Sequence, residues 1–96
     1  MKCRYVRFSG HAIQHMFERS ISMAEVLVVA EKGETIASYP DDKPYPSELL
    51  LAFVDNRHLH VVVAMDVEAE ICLIVTAYEP SLVLWHDDFR RRREPV

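Results

Sequence analysis

The sequence predicts a single α+β domain, with an N-terminal helical hairpin on a four-stranded antiparallel sheet and a short C-terminal helix or tail. Two observations predict this fold class. Apolar residues recur at helical spacing between positions 10 and 32, and they alternate at strand spacing between 34 and 78. A chain of 96 residues is too short to divide into two cores. We therefore expect residues 1–96 to be one domain, with 90–96 as a flexible basic tail.

Helix-capping residues precede both predicted helices. Ser9 is a suitable N-cap for a helix over residues 10–19, whose apolar residues fall within one arc of the helical wheel. Ser22 and Glu25 have the spacing of a capping box, and Gly33 is a typical helix stop. A two-residue joint separates the helices, so they should form a hairpin.

Extended segments follow the helices. The predicted strands are residues 34–39, 47–54, 57–65 and 70–78, and Pro80 ends the sheet. The loop 40–46 carries three prolines and should be rigid. Residues 82–89 are predicted to add a short terminal helix anchored by Trp85.

The third and fourth strands each have two different faces, because strand side chains alternate. One face is wholly apolar and should receive the helices. The other face places His60 opposite Thr76 and His58 opposite Tyr78, if like faces are paired. This mixed face is predicted to be free for a ligand or partner.

Composition and charge restrict the class of protein. No apolar run is long enough to span a membrane and the first residues contain no signal-peptide core, so a cytoplasmic location without membrane contact is expected. Cys3 and Cys72 have no metal or redox spacing and are interpreted as small hydrophobic thiols. The formal net charge is −4, yet residues 1–19 and 90–96 are both basic. If the two ends meet, they form a basic patch suited to RNA or an acidic partner.

Three side chains of the first helix have chemistry suited to phosphodiesters. His11, His15 and Arg19 are spaced i, i+4, i+8, so they form one row. Histidine can transfer protons near neutral pH, and arginine can hold a phosphate. The alternative is a polar helix edge that covers the rim of the core. A four-histidine zinc site with His58 and His60 is a weaker alternative, since no cysteine or carboxylate pattern supports it; no metal or cofactor is predicted.

Further basic residues lie in the loop and on the third strand. Lys43 lies between prolines that would hold it rigidly, as a phosphate contact requires; the sequence equally suits a plain turn. Arg57, His58 and His60 form the densest basic group outside the chain ends. They suit RNA binding, and they equally suit an ordinary polar sheet face.

An ordered series of short segments resembles a known family. The segments run Phe8-Ser-Gly-His11-Ala-Ile-Gln-His-Met16-Phe-Glu-Arg19, Glu25-Val26, Gly33-Glu-Thr-Ile36, Lys43-Pro-Tyr-Pro-Ser47, His60-Val-Val-Val and Thr76-Ala-Tyr78-Glu-Pro80. They resemble a small bacterial domain-of-unknown-function family, usually grouped with the BrnT and RelE/ParE toxins. One departure is His15, because the family pattern has an arginine there.

The resemblance implies the toxin half of a toxin-antitoxin pair, with RNA cleavage inhibited by an antitoxin of zinc-finger or helix-turn-helix type. The leading hypothesis is a metal-independent endoribonuclease with His60 and His11 as the acid-base pair. Arg19, Lys43 and Arg57 would contact phosphate, assisted by His58 and His15, and Tyr78 would donate its hydroxyl. Two alternatives are a non-catalytic domain that inhibits a target protein or translation, and an inactive homodimer.

Overall fold

The computed structural model describes residues 3–94 and contains two helices and one five-stranded sheet. In chain order, the elements are β1 (Tyr5–Phe8), α1 (Gly10–Glu18), α2 (Met23–Lys32), β2 (Glu34–Tyr39), β3 (Ser47–Val54), β4 (Arg57–Asp66) and β5 (Ile71–Tyr78). The strand order is β1-β5-β4-β3-β2. Within residues 3–94, no helix is long and apolar enough to cross a membrane.

The predicted architecture of an N-terminal hairpin on four antiparallel strands is wrong. A first strand, β1, precedes the helices and pairs with β5 in parallel, so the sheet is mixed. The helices lie in the crossover between β1 and β2, and they cover different strands: α1 packs on β5, and α2 packs on β3 and β4. The remaining strands follow the predicted positions to within one residue at each end.

Local capping signals define the helices as the sequence predicts. The Ser9 hydroxyl accepts a hydrogen bond from the Ala12 amide at 3.0 Å. Ser22 and Glu25 form a reciprocal capping box, with bonds of 2.9 and 3.0 Å. Gly33 is the C-cap of α2. These bonds satisfy amide groups that a helix end leaves without partners, so both helix starts are fixed locally.

The hydrophobic core lies between the helices and one face of the sheet. Its members include Ala12 and Met16 of α1, Val26 and Val29 of α2, and Leu50, Leu59, Val61, Val63, Cys72, Ile74 and Ala77 of the strands. The apolar face predicted for β4 is therefore the face that the helices cover.

A β-bulge changes the predicted pairing of β4 with β5. The register shifts between Val62 and Val63, so that Val75 is an extra residue on β5. The observed register also differs from the predicted one on both sides of the bulge: His60 lies opposite Tyr78, and Val62 lies opposite Thr76, in place of the predicted pairs. Because a bulge reverses which side chains face the core, the first half of β5 contributes its even-numbered residues to the core and the second half its odd-numbered ones.

The two cysteines form a disulfide, which corrects their interpretation as independent thiols. Cys3 and Cys72 have Cα atoms 5.5 Å apart and a sequence separation of 69 residues. The bond fastens the segment before β1 to β5. Two distant cysteines reveal no pairing in sequence alone, because only the parallel β1–β5 register brings them together.

Residues 80–94 form turns in place of the predicted terminal helix over 82–89. A bridge between Trp85 and Arg92 closes this C-terminal segment, and the Asp88 carboxylate accepts hydrogen bonds from the Arg90 and Arg91 amides. Phe89 has a φ of 55°, which is incompatible with a helix. The expected flexible tail over 90–96 makes contacts as far as it is described, including an ion pair between Arg90 and Glu34; residues 95 and 96 lie outside the described range.

Candidate functional site

The second half of β5 is not paired with β1. β1 pairs with residues Ile71 to Ile74 of β5, and within residues 3–94 the backbone from Val75 onward has no strand partner on that side. Helix α1 begins directly after β1 and packs along this edge. The row of polar residues on α1 is thereby placed against the sheet.

Three consecutive residues of β5 each contact a polar side chain that the sequence singles out. His15 Nδ1 lies 3.4 Å from Thr76 Oγ1, and Arg19 Nη1 donates to the Ala77 carbonyl at 2.8 Å. Tyr78 is bonded to His60, with 3.2 Å between the hydroxyl and Nδ1. We call the group of His11, His15, Arg19, Thr76 and Tyr78 the β5-edge site.

His15 is suited to accept a proton. Partial burial lowers the pKa of its imidazole, and the nearby His11 and Arg19 lower it further, against a small opposite effect of Glu18. The His11 and His15 rings lie side by side, with 3.8 Å between centroids. His15 is therefore neutral at pH 7, and a second imidazole is its immediate neighbour.

His60 is fully buried beneath the C-terminal segment. Its Nε2–H donates to the Phe89 carbonyl at 2.8 Å, and the Trp85 ring packs edge-on at 4.5 Å. Burial lowers the pKa of the imidazole, which the bond to Phe89 only partly opposes, so the ring is neutral at pH 7. With its single proton on Nε2, Nδ1 accepts from the Tyr78 hydroxyl.

Tyr78 is held by this bond. Burial raises the pKa of its phenol, so Tyr78 stays protonated and its hydroxyl donates a hydrogen bond to His60 Nδ1. Tyr78 thus lies at the β5-edge site, two residues after Thr76, and its hydroxyl is held by the hydrogen bond to His60 on β4. The mixed face of β4 and β5, predicted to be free, is covered at this end by residues 80–94.

Arg57 and His58 face other partners. Arg57 donates to the Ser20 carbonyl at 2.7 Å and forms an ion pair with Glu25 at 3.2 Å, which fastens the joint between the helices to β4. His58 lies between the rings of Phe53 and Phe89, with centroid distances of 4.9 and 4.6 Å. Neither side chain joins the β5-edge site.

Lys43 lies near the start of β5, beside Arg7, a residue that is not among the predicted site residues. A cavity of about 470 Å³ is lined by Lys43, Arg7, Ser9, Asp42 and neighbouring residues of β4 and β5. Arg7 lies beside Leu73 through the β1–β5 pairing. In the sequence, Arg7 is one of the charges of the basic segment 1–19, in which no strand is predicted.

Two arginines and a histidine follow β5 from its start to its end. Arg7 is beside Leu73, His15 contacts Thr76, and Arg19 contacts Ala77. From Leu73 to Tyr78 a strand rises roughly 17 Å. The two arginine cations, with the neutral His15 between them, can contact several backbone phosphates of an extended single strand.

The histidine pairs do not converge on a possible metal site. Across the described part of the chain, no group of three or more His, Cys, Asp or Glu side chains is placed to hold a metal ion. The His11–His15 pair is on α1 at the sheet edge, whereas His60 is under the C-terminal segment.

The fold and site define a small α+β domain with a mixed sheet and a cation-lined sheet edge. Its family is shown by comparison: the model of the DUF4258 domain of unknown function matches residues 8–79, so the chain belongs to that family. No curated protein and no solved structure matches the chain. The matched residues include the whole β5-edge site, and they exclude the C-terminal segment that covers His60.

Proposed function

We propose that this protein binds single-stranded RNA along the β5 edge and cleaves it as the toxin of a toxin-antitoxin pair. The observation that supports the proposal is the β5-edge site itself, in which a neutral histidine, a neighbouring histidine and an arginine meet on one exposed edge. These are the groups that transphosphorylation of RNA requires: a base, an acid and a cation.

In the proposed reaction, His15 takes the proton of a ribose 2′-hydroxyl as the oxygen attacks the adjacent phosphorus. The bond from phosphorus to the 5′ oxygen of the next nucleotide breaks, and protonated His11 supplies the proton to that leaving oxygen, so His15 ends protonated and His11 neutral. The products are a 2′,3′-cyclic phosphate and a free 5′-hydroxyl. The attacking and leaving oxygens belong to one phosphoryl group, so the base and the acid must lie near each other, and the centroids of the two rings are 3.8 Å apart.

Arg19 stabilises the charge on the non-bridging phosphate oxygens. Within residues 3–94, its guanidinium is bound through Nη1 to the Ala77 carbonyl, which orients the group and leaves its other donors for phosphate. Lys43 and Arg7, which line one cavity, would contact neighbouring phosphates at the other end of the edge. His60 acts by positioning Tyr78, which differs from the direct acid-base role that the sequence suggested.

A cytoplasmic location and a protein partner are part of the same proposal. The proposed RNA substrate is cytoplasmic, and the partner would be an antitoxin that covers the basic edge of β5. The toxin grouping is based on the resemblance of the sequence segments and on the chemistry of the site.

A second candidate function is non-catalytic binding of a protein. Three consecutive apolar residues, Leu82, Val83 and Leu84, are exposed, and Val83 is 81% accessible. A run of this kind is unusual on a free surface and suits a protein interface. The homodimer alternative is less favoured, because residues 80–94 cover one end of the mixed face that was expected to form the dimer interface.

The test is cleavage of a mixed-sequence single-stranded RNA by purified protein in the presence of a chelator. We expect His15→Ala and Arg19→Ala to lower the cleavage rate by about 10²-fold or more, since each removes one catalytic group. Arg19→Lys should retain the charge but recover only part of the rate. Lys32→Ala, which removes an exposed cation from α2, is the matched control and should cleave normally.

The outcomes separate the two functions. Cleavage that persists in folded His15→Ala protein would reject the assigned base. Growth arrest on expression without any RNA cleavage, abolished by Val83→Asp and retained in His15→Ala, would favour the protein-binding alternative. RNA binding through the β5 edge should also weaken steeply as salt is raised.

A further inference from the structure

A second cavity adjoins the β5-edge site. It has a volume of about 570 Å³ and is lined by Ser38, Tyr39, Pro40, Asp41, Asp42, Ser47 and Val62. Val62 is the cross-strand partner of Thr76, the residue that His15 contacts. Neighbouring strands are about 5 Å apart, so the floor of this cavity lies one strand away from the contact between Thr76 and His15.

The walls of the cavity combine an aromatic ring with a carboxylate. Tyr39 lines the cavity and is 45% exposed, so part of its side chain is accessible to a ligand. Asp42 is committed to the loop, since its two oxygens accept from the Ser47 hydroxyl at 2.6 Å and from the Lys43 amide at 2.9 Å. The neighbouring Asp41 carboxylate takes part in none of the hydrogen bonds or ion pairs within residues 3–94. It is therefore the available acceptor in this cavity.

The loop that carries these groups is ordered before any ligand binds. Pro40 restricts the backbone beside Tyr39, and the Asp42 amide donates to the Tyr39 carbonyl at 3.2 Å to form a tight turn. The Asp42–Ser47 bond then fixes the loop to β3. A preorganised wall loses little entropy on binding.

We propose that this cavity binds a guanine base, so that Tyr39 and Asp41 select the nucleotide next to the cleaved bond; this rests on the proposed RNA function. Unstacked RNA bases are recognised by stacking on aromatic rings and by hydrogen bonds to their Watson–Crick edges. Guanine presents two adjacent N–H donors on that edge, which match the two oxygens of one carboxylate. Adenine, cytosine and uracil each place an acceptor beside a donor there, and this acceptor would face a carboxylate oxygen.

The first measurement is a titration of the 96-residue protein with each of the four ribonucleoside monophosphates, in which NMR chemical-shift changes give the dissociation constants. GMP should bind at least about tenfold more tightly than AMP, CMP or UMP, as expected for one bidentate base contact. Asp41→Asn should remove this preference, because it replaces one acceptor by a donor. Asp87→Asn is the matched control, an exposed aspartate outside the cavity that should keep the preference.

The second measurement maps the termini of RNA products. Wild-type products should carry guanosine at the cleaved 3′ end, and Asp41→Asn should lose that preference while it still cleaves. Equal binding of the four nucleotides, or a guanine preference that survives in folded Asp41→Asn, would overturn the guanine assignment even if cleavage is observed. Guanine-selective binding that depends on Asp41, without cleavage, would establish the pocket and reject the proposed catalysis.

Discussion

At the scale of single residues, His60 shows how a polar side chain can be retained in a protein interior. Both ring nitrogens are bonded, and the side chain has no accessible surface. Removing it leaves the Tyr78 hydroxyl and the Phe89 carbonyl without partners, and it opens a cavity beside Trp85. Unpaired buried polar groups are more costly than the hydrogen bond itself is favourable.

We therefore predict that His60→Ala lowers the free energy of unfolding by roughly 2–4 kcal/mol. Urea denaturation at pH 7.5, followed by Trp85 fluorescence, measures this change. His86→Ala is the control, because His86 uses no side-chain hydrogen bond within residues 3–94 and should have a small effect. An equal loss in both variants would contradict the supporting role of His60.

The same residue should make stability depend on pH. Its pKa is lowered in the folded state from the ordinary value of 6.5, so below that value the unfolded chain binds a proton that the folded chain does not. The free energy of unfolding is then unaffected by His60 above about pH 6.5, and it decreases as the pH falls from there toward the pKa of His60 in the folded state. The wild type should lose more stability between pH 7.5 and 5.5 than His60→Gln, which cannot titrate. An identical loss would exclude His60 as the source.

At the scale of elements, the C-terminal segment depends on one carboxylate. Asp88 accepts hydrogen bonds from the Arg90 and Arg91 amides, and these bonds are the main reason that its pKa falls to about 2. The turn that they form precedes the bridge from Arg92 to Trp85. Asp88 therefore stabilises the turn that leads into this bridge.

Asp88→Ala should open the cover that this segment forms over His60, while Asp88→Asn should largely preserve it, because asparagine retains an acceptor oxygen for the two amides. The protein has a single tryptophan, Trp85, which is 7% exposed. Its fluorescence should shift to longer wavelength and become more accessible to acrylamide in the alanine variant. Equal quenching of Trp85 in both variants and the wild type would show that these bonds do not hold the segment.

The elements that could be predicted from sequence are those with local signals. Ser9 and Ser22 cap helices through bonds to amides three residues away, and such pairs are visible in the sequence. β1 has only four residues, and its stability comes from a parallel partner 66 residues further along the chain. Short strands of this kind have too few alternating residues to be recognised. The bulge at Val75 is equally invisible, because simple alternation assumes an unbroken period of two.

The site was predictable in its chemistry but not in its assembly. The spacing of His11, His15 and Arg19 predicts one row; His11 and His15 lie side by side on α1, and Arg19 is the C-cap of that helix. Their contact with the β5 edge depends on β1, which was missed, so the sequence could not show that Thr76 and Tyr78 would lie beside them. The burial of His60 depends on the C-terminal segment, in which residues 82–89 form turns and a bridge in place of the predicted helix.

At the scale of the whole molecule, the disulfide makes the stability of the fold depend on the redox conditions around the protein. Cys3 and Cys72 are 69 residues apart, so the bond closes most of the chain into a loop. In the chain-entropy model, a loop of this length stabilises the folded state by about 4 kcal/mol. Domains of this size have a total stability of roughly 5–15 kcal/mol, so a large share depends on this bond.

We predict that a reductant lowers the melting temperature of the wild type by roughly 15–30 °C, measured by circular dichroism. Cys3→Ala removes the bond but keeps Cys72 in the core, so it should melt like the reduced wild type and should not respond to reductant. A wild type that is insensitive to reductant would show that the two thiols are not paired.

The same experiment tests the proposed compartment, because cytoplasmic thiol systems keep such bonds reduced. A toxin that acts on RNA in the cytoplasm must remain folded as the dithiol, and its β5-edge site must survive the loss of the covalent link before β1. The reduced protein should therefore retain its far-ultraviolet spectrum at 25 °C and cleave RNA. If it unfolds when reduced, the folded state requires an oxidising compartment, and both the cytoplasmic location and a cytoplasmic RNA substrate are rejected together.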